Sequence, residues 1–588
     1  MNKKLLVSLL LAALTVCTPL TGCGQQPPSS PETTDATTAE TSAAPTNSAS
    51  PEANAPASET KPYTPVTIQM SEDPKLLYNG IRLPDVWPPD NIESGNRSEL
   101  PVPYLKDADE GGYHPTVVDI DVGRQLFVDD FLIESTTLTS THHQAVKYEG
   151  NPLFETKSHV KHGGLFYDAE KGVYELFYMG SGRKLMYLTS PDGITWDKSK
   201  AYPVLYTPKG SGYTSVVKNE HPDSSNPRYL CLIRYSNGIW DNLQPKHKDH
   251  EHFPTIIYAS DDGQRWRLIS EFGPTSGDAT SMIYNPFRNT WIFSLRMSYP
   301  TIKRARDYVE TTDILDVLDY SALDRVFWLR ADSKDLRDES QPTYPTELYS
   351  ISAIAYESIM LGAFQLFLGP ENAEANTTGI PKITNINLGY SRDGFHYSRD
   401  GREPIIESSK AAGTWDRGYL HHFNNVCIIV GDELRFYYAG YAGDESKGGN
   451  PESTAGSMAN CYMGFATMRR DGFVSLDGTG EVITRTMRFD EVNDRLFINA
   501  KAKSIRAEIR DANGKALPGF SLDECVPFSG DSTCTELKFT SGADLGDLQG
   551  KDFSIRFVVE EGEFYAFWVS DTEDGDSGGF LAAGSVEQ

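Results

Sequence analysis

The side chains in this sequence best suited to acid–base chemistry are carboxylates at the edges of apolar runs. Asp278 stands in Gly277-Asp278-Ala279-Thr280-Ser281, just before Met282-Ile283-Tyr284, and Glu347 stands in Tyr344-Pro345-Thr346-Glu347, just before the apolar run from Ile351 to Tyr356. Glu357 interrupts the apolar stretch from Ala353 to Leu361, where burial would raise its pKa as an acid catalyst requires. Asp129 and Asp130 break a further apolar strand, Gln125 to Ile133. Adjacent strand residues face opposite sides, so only one of these two can reach a shared site, and a buried Asp there needs a partner or a task. The loop from His247 to His252 has metal-ligand residue types, but neighbouring ligands on one loop seldom converge, and no metal site or cofactor is expected.

The elements that must position these groups read as β structure. The body is rich in Tyr, Phe, Val and Ile with frequent Gly and Asp turns. Convincing long amphipathic helices are absent; the best short candidate, Tyr308 to Leu323, has apolar spacing close to a helical period and reads as an insertion. A turn repeats along the chain: Ser190-Pro191-Asp192-Gly193 closing on Trp196, Ser260-Asp261-Asp262-Gly263 closing on Trp266, and Ser391-Arg392-Asp393-Gly394 closing on Tyr397. Weaker copies lie at Ser333-Lys334-Asp335-Leu336 and Met468-Arg469-Arg470-Asp471-Gly472. They recur at roughly 60 to 80 residues, the size of a four-stranded propeller blade with its loops. A hairpin and an apolar strand precede the copies, so the predicted architecture is all-β: a five-bladed β-propeller over 116–478, followed by a β-sandwich over 479–570. The Asp of each turn reads as scaffold, capping backbone N–H groups while Gly takes positive φ.

The ends and the composition narrow the setting. Residues 1–22 read as an export signal, with Lys3 and Lys4 before an apolar core from Leu5 to Val16, and Leu20-Thr21-Gly22-Cys23 is similar to the lipobox of bacterial lipoproteins, making Cys23 the lipidated N-terminus. Residues 23–65, mostly Ser, Thr, Pro, Ala and Glu, cannot bury a core and read as a disordered tether; 66–115 reads as an extended segment and 571–588 as a disordered tail. The expected location is the outer face of the cell membrane, held only by lipid on Cys23. With 54 Lys and Arg against 82 Asp and Glu, the net charge of −28 argues against nucleic acid as a partner. Cys525 and Cys534 flank a short loop and are either a disulfide or two thiols.

Five Ser-x-Asp-Gly-type blades followed by a β-sandwich resemble the glycoside hydrolases of families 32 and 43, over about Thr116 to Ser570. The resemblance implies cleavage of a glycosidic bond by carboxylates at the starts of inner strands: a nucleophile or base, a stabilising Asp and a general acid Glu. On that pattern Asp278 matches the stabilising Asp and Glu347 the general acid, with Glu357 competing for the acid role. The first blade departs from it, having Lys161-His162-Gly163-Gly164 where the family has its nucleophilic Asp, and Asp129 or Asp130 is the nearest substitute. His142, His143, His162, His421 and His422 are candidates to bond sugar hydroxyls, Arg234 and Arg296 to hold a carboxylated sugar, and Trp415-Asp416 to stack on and bond a sugar. The missing acid keeps two alternatives open: a carbohydrate-binding protein without catalysis, and a glycoside phosphorylase in which Arg and His bind phosphate. The partner is a carbohydrate and the protein a monomer.

Overall fold

A computed structural model describes residues 66, 68, 71–89, 98–156, 163–207, 211–219, 227–235, 253–314 and 325–586. Cys23, His162 and the loop His247–His252 lie outside them. Strands make up most of the regular structure in the described chain, with 3-10 turns and one short α-helix at Asn372–Thr378. No helix among the described residues is long and apolar enough to cross a membrane.

Three four-stranded antiparallel meanders follow one another in chain order: Gly164–Asp168 to Tyr202–Tyr206, Ser211–Lys218 to Arg267–Ser276, and Ser281–Asn285 to Val326–Arg330. A fourth four-stranded sheet joins Glu347–Glu357, Ile359–Gly369 and Ile383–Ser391 to Phe580–Leu581 from the chain's end. A seven-stranded sheet is built on Glu433–Tyr441, which pairs with Gly418–His422 and Ile428–Val430 on one side and Cys461–Arg469 on the other. The result is a propeller-like ring of sheets.

Its first strands are tied edge to edge by side chains rather than by ladders. Ser215 Oγ takes the Met282 N–H at 3.0 Å, Ser281 Oγ donates to Ile351 O, and Ser352 Oγ donates to Asn424 Oδ1 at 2.9 Å. Asn424 N–H reaches Gly163 O at 3.0 Å, and its Nδ2 donates to Met282 O at 3.0 Å, so one residue braces three sheets across the centre.

The repeated turns have one geometry. Ser190 Oγ donates to Asp192 Oδ1 at 2.9 Å and accepts from Gly193 N–H, while Asp192 Oδ1 accepts from the N–H groups of Ile194 and Thr195. Burial opposes the Asp192 charge, yet these donors hold its pKa down at about 2. The copies at Ser260 and Ser391 repeat the bonds with Gln264 and Arg265, and with Phe395 and His396. The Asp is scaffold, as expected, and Gly193, Gly263 and Gly394 carry φ of 70°, 74° and 81°.

Of three expectations, two are corrected. Tyr308–Thr311 closes a strand, Ile302–Thr311, rather than opening a helix; the register Ser294 with Tyr308 and Phe293 with Val309 places these residues in the third sheet. The region expected as a β-sandwich holds seven strands joined by one path of pairing, in the order Phe528–Leu537, Arg495–Arg510, Ser554–Ser570, Val474–Thr484, with Ile133–Thr136, Thr139–His142 and Gln125–Leu126 added from upstream. Chain from upstream covers it: Leu77 and Ile81 in turns, Tyr104 and Phe131 in 3-10 turns and Val118 in a two-residue strand share one core with Leu496, Ile498, Phe557 and Phe567. Residues 564–570 are buried on both faces because the opposite face meets the ring. Third, the tail is structured: Phe580–Leu581 and Ser585–Val586 join the fourth sheet and the seven-stranded sheet of the ring. Cys525 and Cys534 are separate thiols.

Candidate functional site

In each antiparallel sheet the first strand starts, and the second strand ends, at the rim opposite the Ser-x-Asp-Gly turns. Asp278 and Glu347 lie at that rim, among Arg296, a candidate from the sequence, and other groups the sequence reading passed over. Asp278 Oδ1 pairs with Arg296 Nη1 at 3.1 Å, and its Oδ2 accepts from Tyr349 OH at 3.2 Å. Tyr349 OH in turn meets Tyr419 OH at 2.8 Å. Glu347, two residues before Tyr349 on the same strand, is buried and ion-paired with Arg304 Nη1. The Arg304 guanidinium lies 4.1 Å from the Phe367 ring and 6.0 Å from that of Tyr349. Lys382 Nζ sits 4.2 Å over Tyr419 and 5.8 Å from Tyr349.

Arg306 underlies this set. It is wholly buried, donates Nη1 to Ala279 O at 2.8 Å and Nη2 to Tyr349 O, and its Nε–H has no hydrogen-bond partner. Burial, with Arg296 close by, lowers its pKa to about 9. Two non-glycine residues beside the site take left-handed backbone, Ala279 at φ 55° and Tyr419 at φ 48°, a conformation that costs energy and persists where packing imposes it. Ala279 follows Asp278 directly, and its carbonyl is the one Arg306 holds. Asp278 is 30% exposed and Arg296 25%, so of the two carboxylates Asp278 is the one solvent reaches.

His421 and His422 line the same end of the ring. Gln365 Nε2 meets His421 Nδ1 at 3.2 Å, and the His421 ring stacks edge-on to Tyr419 at 4.4 Å. His422 bonds Phe423 O at 3.0 Å and Ser350 Oγ at 3.1 Å, and burial lowers its pKa to about 4. A depressed histidine contributes stability that is complete above its unfolded value of about 6.5 and is lost as pH falls toward 4, at up to about 1.4 kcal/mol per pH unit. The thermal midpoint of the protein should therefore drop between pH 7 and 4.5, and His422→Gln should remove part of that drop. An unchanged pH dependence in the variant would disprove this.

The other predicted residues go elsewhere. Asp129 caps the 3-10 turn Asp130–Leu132 by accepting from Phe131 N–H and is bound by Arg392, whose Nη2 lies 2.9 Å from Oδ1. It is a structural ion pair inside the molecule, and Asp130 beside it points to solvent. Glu357 lies in the turn at the far end of its strand from Glu347, at φ 49°, paired to Arg470 at 3.0 Å and Arg124 at 3.5 Å and accepting from Ser577 Oγ. Its apolar neighbours made it look like an acid catalyst, whereas partners distant in sequence make it an anchor. Asp416 is held by Lys147 at 2.6 Å and Tyr438 OH at 3.1 Å, and Trp415 packs on Tyr438 at 5.0 Å, which removes both from the rim cluster. Arg234 is on the second strand of the second sheet opposite Thr255, near the same rim. His143 bonds Ser475 and the His142 ring packs under Gly401, both in the periphery. Among the described residues no three His, Cys, Asp or Glu side chains are grouped to hold a metal.

The residues missed were Tyr349, Tyr419, Arg304, Arg306 and Lys382. One signal was present: Arg304 and Arg306 alternate with Ala305 along Ile302–Thr311, and i, i+2 spacing puts both guanidinium groups on one sheet face.

No family model and no curated protein matches this chain. Solved structures similar to it include an N-acetylgalactosamine deacetylase from F. plautii in complex with blood group B trisaccharide, at 12% identity and TM-score 0.38, covering 57% of this chain and 96% of that one. A glycoside hydrolase family 43 arabinoxylan arabinofuranohydrolase from Bacillus subtilis aligns at 12% identity and TM-score 0.32, over 73% and 99%. A fructofuranosidase from Schwanniomyces occidentalis complexed with fructosylnystose aligns at 9% identity and TM-score 0.30, over 75% and 100%. Likenesses this low leave the sheet order itself as the ground for the fold.

Proposed function

We propose that the rim holding Asp278 and Glu347 binds a carbohydrate and hydrolyses a glycosidic bond. The observation that carries the reading is that carboxylates from two successive sheets stand beside Tyr349 at the end of the ring where the first strands start: Asp278 accepts from its hydroxyl, and Glu347 pairs with Arg304, whose guanidinium lies 6.0 Å from its ring. Such cleavage needs one carboxylate to support positive charge on the ring and one carboxylic acid to protonate the leaving oxygen, with water supplying the hydroxyl that completes the product. Asp278, solvent-reachable and charge-paired, suits the first role. Glu347 takes the second once Arg304 swings from it to admit substrate. In the same reading the seven-stranded sheet on Glu433–Tyr441 is the fifth blade, Cys23 carries lipid, and the enzyme works outside the cell.

A second reading, carbohydrate binding without turnover, is favoured by two features: Arg304 is ion-paired with Glu347, and no carboxylate stands at Gly163–Gly164. A panel of polysaccharides and aryl glycosides incubated with the full protein separates the two. Release of reducing sugar supports hydrolysis; retention on a glycan column with no release from any panel member sinks it and leaves binding.

A further inference from the structure

We propose that a cavity on the fourth sheet, separate from the rim cluster, is a second binding site and takes a neutral sugar unit.

The cavity has a volume of about 600 Å³ and lies between the strands Ile359–Gly369 and Ile383–Ser391 and the chain around 336–340 and 402–410. Small-molecule sites typically enclose about 300–1,000 Å³. Leu366, Asn385 and Asn387 line it, and the register of Leu366 with Asn385 and of Phe364 with Asn387 sets the two amides on one face of the sheet, two residues apart. Phe367, the next residue along its strand, packs on the other face with Tyr349 and Arg304. The cavity and the rim cluster therefore use opposite faces of one sheet.

Each amide has one atom without a bond inside the protein. Asn385 Oδ1 accepts from Ser408 N–H at 3.0 Å, while its Nδ2 makes no hydrogen bond with the described residues. Asn387 Nδ2 donates to Arg402 O at 2.8 Å, while its buried Oδ1 has no hydrogen-bond partner. Asn385, 8% exposed, meets a guest first, and Asn387, 2% exposed, lies deeper. An N–H donor beside a carbonyl acceptor matches hydroxyl groups, which both accept and donate, and a buried acceptor without a donor is unfavourable until one is brought to it. Leu366 and Leu368 add an apolar floor for the C–H face of a sugar ring. The charges around the cavity favour a neutral guest. Three cations stand against four carboxylates. Arg402 is already paired with Asp332 at 2.9 Å, and Lys410 with Asp338 and Glu407 at 2.7 Å each. A charged ligand would meet about as many like charges as opposite ones.

The test is calorimetric titration of the full protein with D-glucose, D-galactose, D-xylose and L-arabinose, at low and high salt, repeated on Asn385→Asp, Leu336→Trp and Asp278→Asn. Asn385→Asp keeps the oxygen that holds Ser408 and removes the donor. Leu336 lines the cavity and is 48% exposed, so an indole there obstructs the cavity without entering the core. At least one sugar should show binding that persists in Asp278→Asn, weakens about tenfold or more in both cavity variants and is insensitive to salt. No sugar bound, or binding that survives both cavity variants, overturns the inference while leaving cleavage at the rim to be judged by the glycan panel. Binding lost in the cavity variants with no glycoside cleaved supports the inference and sinks hydrolysis instead. A preference for inorganic phosphate or D-glucuronate over all four neutral sugars, abolished by Leu336→Trp, overturns the neutral assignment.

Discussion

Asp278→Asn should lower the cleavage rate on any hydrolysed substrate by about 10²- to 10⁴-fold while leaving the thermal midpoint almost unchanged. The substitution is isosteric: Asn Oδ1 can still accept from Tyr349 OH, and although the amide NH2 then faces Arg296 in place of an acceptor, that guanidinium is 25% exposed and can turn to water. What disappears is the negative charge facing the developing positive charge of the sugar ring. Glu347→Gln should differ in kind. It also lowers the rate, but Arg304 is buried and loses its carboxylate, and breaking such a pair typically costs about 3–5 kcal/mol, so the midpoint should fall several degrees. Initial rates and thermal denaturation on the same preparations separate the two signatures. Full activity in Asp278→Asn would remove the rim from the chemistry altogether, and an unchanged midpoint in Glu347→Gln would mean the ion pair with Arg304 is not formed in solution.

What could be read from the sequence was whatever is local. The Ser-x-Asp-Gly turn was legible because Asp192 bonds the N–H groups two and three residues ahead, so residue identities and geometry fall within one short window. The places of Asp278 and Glu347 near strand starts were legible for a similar reason: a strand's start shows as a polar residue before an apolar run. Roles that depend on distant partners were not. Asp129 looked like a catalytic acid because its strand is apolar, and the guanidinium that neutralises it, on Arg392, is 263 residues away. Arg304 and Arg306 were hidden because an Arg-rich stretch followed by Tyr308, Val309 and Ile314 scans as a helical period as easily as a strand. The chain that covers the C-terminal sheet was hidden because Leu77, Ile81 and Tyr104 sit in turns, which have no periodicity to detect.

The chain's end supplies the largest expected effect on stability. Deleting residues 571–588 should lower the thermal midpoint by about 10 °C or more and open the ring to proteolysis. The tail crosses the face opposite the rim and ties sheets that do not otherwise share a ladder. Tyr167 N–H of the first sheet donates to Ala583 O, Ala583 N–H donates to Cys427 O, and Ile429 and Gly431 donate to Gly584 O and Val586 O. Phe580 and Leu581 pair with Glu357 and Tyr356 of the fourth sheet, and Phe580 packs edge-on against Phe287 of the third at 4.9 Å. Each backbone bond is worth about 0.5–1.5 kcal/mol net, and the partners left behind would be buried donors and acceptors with nothing to bond. The tail also covers a buried ionic knot. Ser577 bonds Glu357, which joins Arg470 and Arg124, and Arg124 continues to Asp471 at 2.8 Å and lies 4.0 Å over Trp568. Burial alone would raise Asp471, yet the charges of Arg124 and Arg470 hold it below the usual carboxylate range, which shows how tightly the knot is closed. Glu357→Gln tests the knot without removing the tail: it should destabilise by about 3–5 kcal/mol while leaving the rate at 25 °C unaltered, because Glu357 sits at the opposite end of its strand from Glu347. A rate that fell with no change in thermal midpoint would return Glu357 to the chemistry. A truncated protein that melted with the full chain would show that the ring closes without its tail.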